Sequence, residues 1–291
     1  MLLKGCGTAL ATPFKNGKVD FEAYRKLVTR QVEAGIHFLV PLGSTAETPC
    51  LEDDEKVELL KITRELCPDR PLVAGVGTNS PVATIRNIRL LEPYGADAWL
   101  VVVPYYNKPT QQGLYEYFKA IAEATDKPIV AYNVPGRTGT NMTAQTSVRV
   151  AGIPGVIAVK EASGKLDQIE EVVKTRPAGF GVLSGNDDQT FEIMGYGGEG
   201  VISVASNVAP ELMVSLVEAA AAGDFKKAEK INAALAPLFD ACFVESNPIP
   251  AKAALSILGL CEPDMRLPLT TAVPSTFDLM RKVINDLDIK P

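Results

Sequence analysis

Residues 155–164 have the sequence Gly155-Val156-Ile157-Ala158-Val159-Lys160-Glu161-Ala162-Ser163-Gly164. The apolar, mostly β-branched run before the lysine is typical of a buried strand. A charged amine at the end of such a strand is costly unless it is paired or used. Burial favours the neutral amine, which can attack a carbonyl and form an imine. Two interpretations follow: Lys160 is a nucleophile, or its side chain extends into water.

Runs that resemble this strand alternate with helix-like runs from near the start of the chain to about residue 222. The predicted strands are residues 6–11, 36–42, 72–76, 99–103, 129–132, 156–160, 181–184 and 200–204. Eight β-α units are the number that closes a (β/α)8 TIM barrel, and short apolar strands suit a parallel sheet covered by helices. A doubly wound α/β sheet is the competing fold, but no GxGxxG follows the first predicted strand.

The remainder of the chain is predicted to be helical. Its predicted helices are residues 225–238, 249–258 and 276–287. No linker rich in Gly, Ser or Pro separates this part from the barrel. We therefore expect a barrel domain over residues 1–223 that carries the active site, followed by a C-terminal helical extension over residues 224–291.

Composition narrows the class of protein. The chain has 291 residues, of which 46% are hydrophobic and 22% charged, as in soluble globular proteins. A formal net charge of −6 without a lysine or arginine cluster argues against nucleic acid or an anionic membrane as a partner. No run approaches the roughly 20 apolar residues of a membrane span. These features predict a cytoplasmic protein.

Cysteine and histidine usage limits the chemistry. The five cysteines are scattered, and His37 is the single histidine in the sequence. A Cys/His metal site and a histidine-based triad are therefore disfavoured, and reduced thiols are expected. His37 lies near the start of a predicted strand, where a structural role is expected. Acid–base work would fall to tyrosine, serine, threonine, carboxylate or lysine side chains.

Reactive groups follow several of the predicted strands. In a (β/α)8 barrel, catalytic residues gather where strands end and βα loops begin. The residues at these ends include Ser44, Thr45, Tyr105, Tyr106, Tyr132, Arg137, Lys160, Gly185 and Ile202. Together they suit a small keto acid: the amine takes the ketone, amides and hydroxyls take the carboxylate, and phenols move protons.

Five motifs add a resemblance to a known family. They are Gly43-Ser44-Thr45-Ala46-Glu47, Tyr105-Tyr106-Asn107-Lys108-Pro109, Tyr132-Asn133-Val134-Pro135-Gly136-Arg137-Thr138-Gly139, Val159-Lys160-Glu161-Ala162 and Asn247-Pro248-Ile249-Pro250. In this order they resemble the dihydrodipicolinate synthase family of the pyruvate-dependent class I aldolases. The resemblance extends from about Lys4 to the last predicted helix.

The resemblance implies a lyase that needs no cofactor. Lys160 would form a covalent imine with pyruvate, and the derived enamine would attack L-aspartate 4-semialdehyde. The product would be 4-hydroxy-tetrahydrodipicolinate, formed in the first committed step towards diaminopimelate and lysine. Catalytic roles are implied for Tyr132, as the proton carrier, and for Ser44 and Tyr106, as a relay to solvent. The alternative for Tyr106 is a packing role in the wall of the pocket. The alternative for Tyr132 is a phenol that belongs to the core.

The same resemblance implies the substrate contacts. Thr45 and neighbouring amides would bind the pyruvate carboxylate, and Arg137 would bind the carboxylate of the semialdehyde. Gly185 and Ile202 would contribute backbone to the pocket. The alternatives are that Ser44 and Thr45 cap the next helix and that Arg137 pairs with a surface carboxylate.

The chain departs from the family pattern at two positions. Ser44 stands where the synthases usually have threonine, and Ala46 stands where glycine is usual. Arg137 favours the synthases over N-acetylneuraminate lyase-like members, which generally lack this arginine. The alternatives are such a lyase or another sugar keto-acid aldolase and, from another class, a non-catalytic barrel that binds small carboxylates.

The resemblance also implies a homotetramer built from two tight dimers, with Tyr106 reaching into the neighbouring site. Many relatives are inhibited by lysine at that interface. Here Asp53, Lys56 and Ala83 replace the usual His and Glu ligands, which predicts weak or absent inhibition. The last of the five motifs leads into a predicted helix, and Lys252 is expected on the exposed side of that helix.

Overall fold

The computed structural model describes residues 3–291, and its central feature is a parallel sheet. Numbered in chain order, its strands are β1 (Gly5–Ala9), β2 (Phe14–Lys15), β3 (Lys18–Val19), β4 (Phe38–Val40), β5 (Val73–Gly75), β6 (Ala98–Val102), β7 (Ile129–Asn133), β8 (Val156–Glu161), β9 (Gly181–Ser184) and β10 (Gly200–Ser203). Over the described range, eight of these strands form one sheet in the order β4-β1-β10-β9-β8-β7-β6-β5. A parallel bridge between Leu39 and Leu72 brings its two edges together. The predicted (β/α)8 barrel is thereby confirmed.

The other two strands form a feature that the sequence analysis missed. β2 and β3 pair antiparallel as a short hairpin between β1 and the first helix. Each has only two residues, which is too short to give an alternating pattern in the sequence.

Helices follow the strands and cover the sheet. They are α1 (Phe21–Glu33), α2 (Asp53–Leu66), α3 (Pro81–Leu91), α4 (Gln111–Ala122), α5 (Pro135–Thr138), α6 (Ala144–Ala151), α7 (Leu166–Thr175), α8 (Thr190–Gly195), α9 (Pro210–Ala221), α10 (Phe225–Ala241), α11 (Ile249–Ile257) and α12 (Pro274–Asp286). Several helices begin at the positions that capping residues in the sequence predict. Asp20 accepts a hydrogen bond from the backbone N of Ala23, and the acidic run at the start of α2 forms a capping box between Glu52 and Glu55.

The barrel strands separate two apolar cores. One core fills the barrel interior and includes Ala158 of β8, whereas Val159 belongs to the core between the strands and the helices. Because side chains alternate along a strand, Lys160 lies on the same side as Ala158 and points into the barrel. β8 continues one residue beyond its predicted end, since Glu161 still pairs with Asn133 and Ser184.

The C-terminal part is helical as predicted, but the expectation for Lys252 is wrong. Lys252 is fully buried in α11, and its Nζ lies 2.9 Å from Oε1 of Glu47. The partner is far away in sequence, so the helical pattern alone gave no sign of this contact. The division between residues 1–223 and 224–291 stays a proposal.

Close packing at Gly75 of β5 generates a stability prediction. A Cβ atom at this position would lie 1.8 Å from the carbonyl oxygen of Leu42. Backbone has to move to relieve such a clash, so Gly75→Ala should lower the free energy of unfolding by about 3 kcal/mol or more. Gly136→Ala is the matched control, because a Cβ there meets nothing within 4 Å. Equal thermal unfolding midpoints for the two variants would contradict this account.

Candidate active site

Two neighbouring strands bring Lys160 and Tyr132 together at the carboxyl end of the barrel. Tyr132 of β7 is in register with Lys160 of β8. The lysine Nζ lies 4.3 Å from the centre of the tyrosine ring, and Lys160 is only 5% exposed. The structure therefore supports the nucleophile interpretation over a lysine that extends into water.

The surroundings make the amine of Lys160 unusually easy to deprotonate. Burial lowers the pKa of Lys160 to about 7, the negative charge of Asp187 opposes this shift, and the positive charge of Arg137 adds to it. At neutral pH a large fraction of the amine is therefore uncharged, which is the form that attacks a carbonyl carbon.

Gly185 and Ile202 lie around the lysine. A Cβ atom at Gly185 would lie 3.1 Å from Cε of Lys160 and 2.7 Å from Cβ of Ala162, so a glycine leaves the room that the lysine stem occupies. Ile202 of β10 is fully buried in the same interior core as Tyr132. The structure thus brings both predicted residues to the barrel interior.

Tyr132 is held as a protonated phenol. Burial raises its pKa, while the Arg137 guanidinium and the Ser44 hydroxyl act in the opposite direction. A phenol whose pKa is raised keeps its proton at neutral pH and can donate it to a developing negative charge. Ser44 is exposed and lies at the start of a single 3-10 turn, Ser44–Ala46.

Thr45 and Arg137 are connected through one residue of the C-terminal part. The side-chain Nδ2 of Asn247 donates to Oγ1 of Thr45 at 3.0 Å, and Nη2 of Arg137 donates to the carbonyl oxygen of Asn247 at 3.3 Å. Thr45 is buried, whereas Arg137 is exposed. Asn247 was not among the predicted site residues, although its motif had been recognised in the sequence.

A cleft of about 520 Å³ opens at this end of the barrel, and Ser44, Tyr105, Tyr132, Arg137 and Asn247 are on its wall. Four predicted residues are not on that wall: Thr45, Lys160 and Ile202, which are buried, and Gly185, which is partly buried. Tyr106 is not brought to the cleft either, because its side chain points outward and is 88% exposed.

Asp187 is a second residue that the sequence analysis did not single out. It is buried, and its Oδ2 accepts hydrogen bonds from the backbone N atoms of Val204 and Ala205, at 3.0 and 2.9 Å. Its charge acts on the amine of Lys160. The acidic pair after the seventh predicted strand was the available signal, but only the fold brings it close to the lysine.

Three further observations concern metal ligands, the single histidine and membrane-spanning helices. Within residues 3–291 no group of three or more His, Cys, Asp or Glu side chains is arranged to hold a metal ion. His37 accepts a hydrogen bond from the backbone N of Cys6 at 3.1 Å, as a structural residue would. No helix in the described part of the chain has both the length and the apolar character needed to cross a membrane.

Comparison with known proteins decides the family. Residues 2–286 match the family model described as the dihydrodipicolinate synthetase family. The chain belongs to this family. It is 47% identical over 290 residues to the 4-hydroxy-tetrahydrodipicolinate synthase of Thermotoga neapolitana, covering 98% of this chain and 99% of the relative. The expected family is therefore confirmed.

Solved structures give the same result. The crystal structure of dihydrodipicolinate synthase from Thermotoga maritima is similar with a TM-score of 0.97 and 45% identity, covering 99% of each chain. That of the enzyme from Aquifex aeolicus is similar with a TM-score of 0.95 and 39% identity, also covering 99% of each chain. The barrel and its C-terminal helices are thus those of the family.

The charges around Lys160 predict how its titration responds to mutation. Arg137→Ala removes a positive charge that lowers the pKa of Lys160, so this pKa should rise. Asp187→Asn removes the opposing negative charge, so the pKa should fall. NMR titration of isotopically labelled lysine side chains measures both shifts, with a Lys160→Met spectrum to assign the signal. Arg281→Ala, at an exposed ion pair with Asp278, is the control and should leave the midpoint near 7. Shifts of the opposite sign would contradict the electrostatic account.

Proposed function

We propose that the protein condenses pyruvate with L-aspartate 4-semialdehyde to give 4-hydroxy-tetrahydrodipicolinate, with Lys160 as the covalent nucleophile. The observation that carries this proposal is the buried amine, whose pKa is lowered to about 7, against the ring of Tyr132 at the carboxyl end of a barrel strand. Membership of the dihydrodipicolinate synthetase family and the relatives named above support the substrates.

The first half of the reaction uses the two buried side chains. The neutral amine of Lys160 attacks the ketone carbon of pyruvate, and Tyr132 donates a proton to the oxygen. Loss of that oxygen as water leaves a protonated imine between the lysine and pyruvate. The positive nitrogen then withdraws electrons, so a proton leaves the pyruvate methyl group and an enamine forms.

The second half joins the two substrates. The enamine carbon attacks the aldehyde carbon of the semialdehyde, whose oxygen takes up a proton and becomes the 4-hydroxyl group. The amino group of the same substrate then displaces Lys160 by transimination and closes the ring. One water is released per product, and the lysine is regenerated without any cofactor.

Thr45 and Arg137 are the proposed donors for the two substrate carboxylates. Oγ1 of Thr45 accepts a hydrogen bond from Asn247, so its own hydroxyl proton can be donated to the pyruvate carboxylate. Arg137 is on the cleft wall, where its forked donors match the carboxylate of the semialdehyde. Ser44 keeps the hydroxyl that a relay to solvent needs. Ala46 is buried and is not on the cleft wall, so its methyl group leaves the cleft open.

Trapping with borohydride tests the nucleophile. Incubation with pyruvate and borohydride should add a reduced pyruvyl group to the wild-type protein, and peptide mapping should locate it on Lys160. Lys160→Ala should lose this adduct, because no amine remains at that position. Lys282→Ala, on the exposed face of α12, is the control and should be labelled like the wild type. A wild-type protein without an adduct would leave the non-catalytic barrel as the better account.

The same measurement has an expected pH dependence. Because the amine must be neutral to attack, the trapping rate should rise as pH increases through about 7 and level off above it. The variant Arg137→Ala separates the two substrates. It should still form the adduct with pyruvate, but its reaction with the semialdehyde should lose roughly 1.5–3 kcal/mol of stabilisation, the contribution of a charge-assisted hydrogen bond.

Turnover of N-acetylneuraminate instead of the semialdehyde would favour the lyase alternative, which the comparisons do not favour.

The position of Tyr106 supports a proposed homotetramer. Its backbone has φ 71°, a left-handed conformation that costs energy for a tyrosine, and its ring lies outside the cleft of its own chain. Val82 and Leu267 are also largely exposed. We propose that Tyr106 enters the site of a neighbouring subunit within a tight dimer, and that two such dimers form the tetramer.

Co-expression of two variants with different tags tests this assignment. Lys160→Ala chains and Tyr106→Phe chains should each have little activity alone. In a mixed dimer, the site of the Tyr106→Phe chain has its own lysine and would receive the tyrosine of the partner. One intact site per two chains should therefore regain activity, while no gain would place Tyr106 in its own site or outside the reaction.

Two further expectations stay predictions. Weak or absent inhibition by lysine is proposed because Lys56 pairs with Asp53 at 2.9 Å, so these two charges largely cancel where the relatives have other ligands. A lysine titration of activity measures this, and strong inhibition below about 1 mM would contradict it. A cytoplasmic location stays a prediction as well.

A further inference from the structure

The turn after Ser44 and Thr45 ends in an unusual backbone conformation. Glu47 has φ 54° and ψ 36°, the left-handed region that non-glycine residues rarely adopt. Its backbone N donates to the carbonyl oxygen of Ser44 at 3.1 Å and closes the turn. Such a conformation persists where the surrounding structure holds it in place, so the contacts of Glu47 bear on the shape of the loop that carries Thr45.

The carboxylate of Glu47 is held by the C-terminal part of the chain. Its Oε1 lies 2.9 Å from Nζ of Lys252, and the two side chains are each only 1% exposed. Its Oε2 accepts a hydrogen bond from the backbone N of Arg266 at 3.1 Å. The ammonium group of Lys252 also lies 4.3 Å from the ring centre of Phe14. The ion pair is therefore fully enclosed.

The segment 247–252, which contains Lys252, contacts both proposed substrate-binding side chains. Asn247, five residues before Lys252, donates to Thr45 and accepts from Arg137. Movement of the start of α11 relative to the turn would thus displace the hydroxyl for one substrate and the guanidinium for the other. The ion pair is the charged contact that joins α11 to this turn.

We propose that Glu47 and Lys252 are positioning residues that fix the Ser44–Thr45 turn against α11 and thereby set the affinity for the keto-acid carboxylate. This inference rests on the proposed function. A buried ion pair adds little net stability, because removing both charges from water offsets their attraction. The direction of its contacts, by contrast, defines one position of the turn relative to α11. We therefore assign the ion pair a role in positioning the turn and not in stabilising the fold.

The experiment compares Lys252→Met, the double variant Glu47→Gln with Lys252→Met, and Lys282→Met. The single variant leaves a buried carboxylate unpaired and should lower the unfolding midpoint. The double variant has no buried charge at this place, and its new amide oxygen can still accept from the backbone of Arg266, so its midpoint should return close to that of the wild type. Lys282→Met makes the same substitution at an exposed ion pair with Asp286 and is the matched control.

Imine trapping at increasing pyruvate concentration and steady-state kinetics are the readouts. In the double variant we expect the half-saturating pyruvate concentration to rise about tenfold or more, since a misplaced contact weakens binding and reaction of a positioned substrate. Adduct at saturating pyruvate should still form on Lys160. Lys282→Met should match the wild type in both readouts.

The outcomes decide whether the Glu47–Lys252 pair positions the turn. A recovered midpoint together with wild-type pyruvate dependence in the double variant would mean that the pair only stabilises, and the inference would be wrong. Failure of the double variant to fold would show that the fold itself needs the pair and would overturn the inference equally. If the single variant alone fails to fold, the double variant decides. If the wild-type protein forms no adduct, the proposed reaction fails first, and the inference fails with it.

Discussion

The amine of Lys160, enclosed at the carboxyl end of β8, is the constraint on which the site depends. A charged ammonium group in that place would need a partner to offset the loss of hydration. Its Nζ instead lies 4.3 Å from the centre of the Tyr132 ring, and its pKa is lowered to about 7. The protein accommodates the lysine by allowing it to lose its proton, and a neutral buried amine is the reactive form for imine chemistry.

Two charges of opposite sign hold this balance. Asp187 favours the protonated amine and Arg137 favours the neutral one. The balance matters because the proposed reaction needs both states: a neutral nitrogen to attack and a positive imine nitrogen to withdraw electrons.

The C-terminal part of the chain supports the other side of the cleft. Asn247 joins Thr45 to Arg137, and the buried pair of Lys252 and Glu47 joins α11 to the turn that carries Thr45. Barrel strands carry the proposed reactive groups, while residues more than a hundred positions later along the chain contact the proposed donors for the substrate carboxylates. The active site is therefore a property of both parts of the chain.

The sequence by itself determined the barrel and the position of the proposed nucleophile, since apolar runs of strand length, their number and a lysine at one strand end are local features. It also supplied Tyr132 and Arg137 through motifs. Only the tertiary structure decided that Lys252 is buried, that Asn247 contacts Thr45 and Arg137, that Asp187 acts on the amine of Lys160, and that Tyr106 points away from its own cleft. These facts depend on which distant residues meet across the fold, and no periodicity along the chain encodes such a contact. The pKa of Lys160 is of the same kind, because burial and neighbouring charges set it in three dimensions.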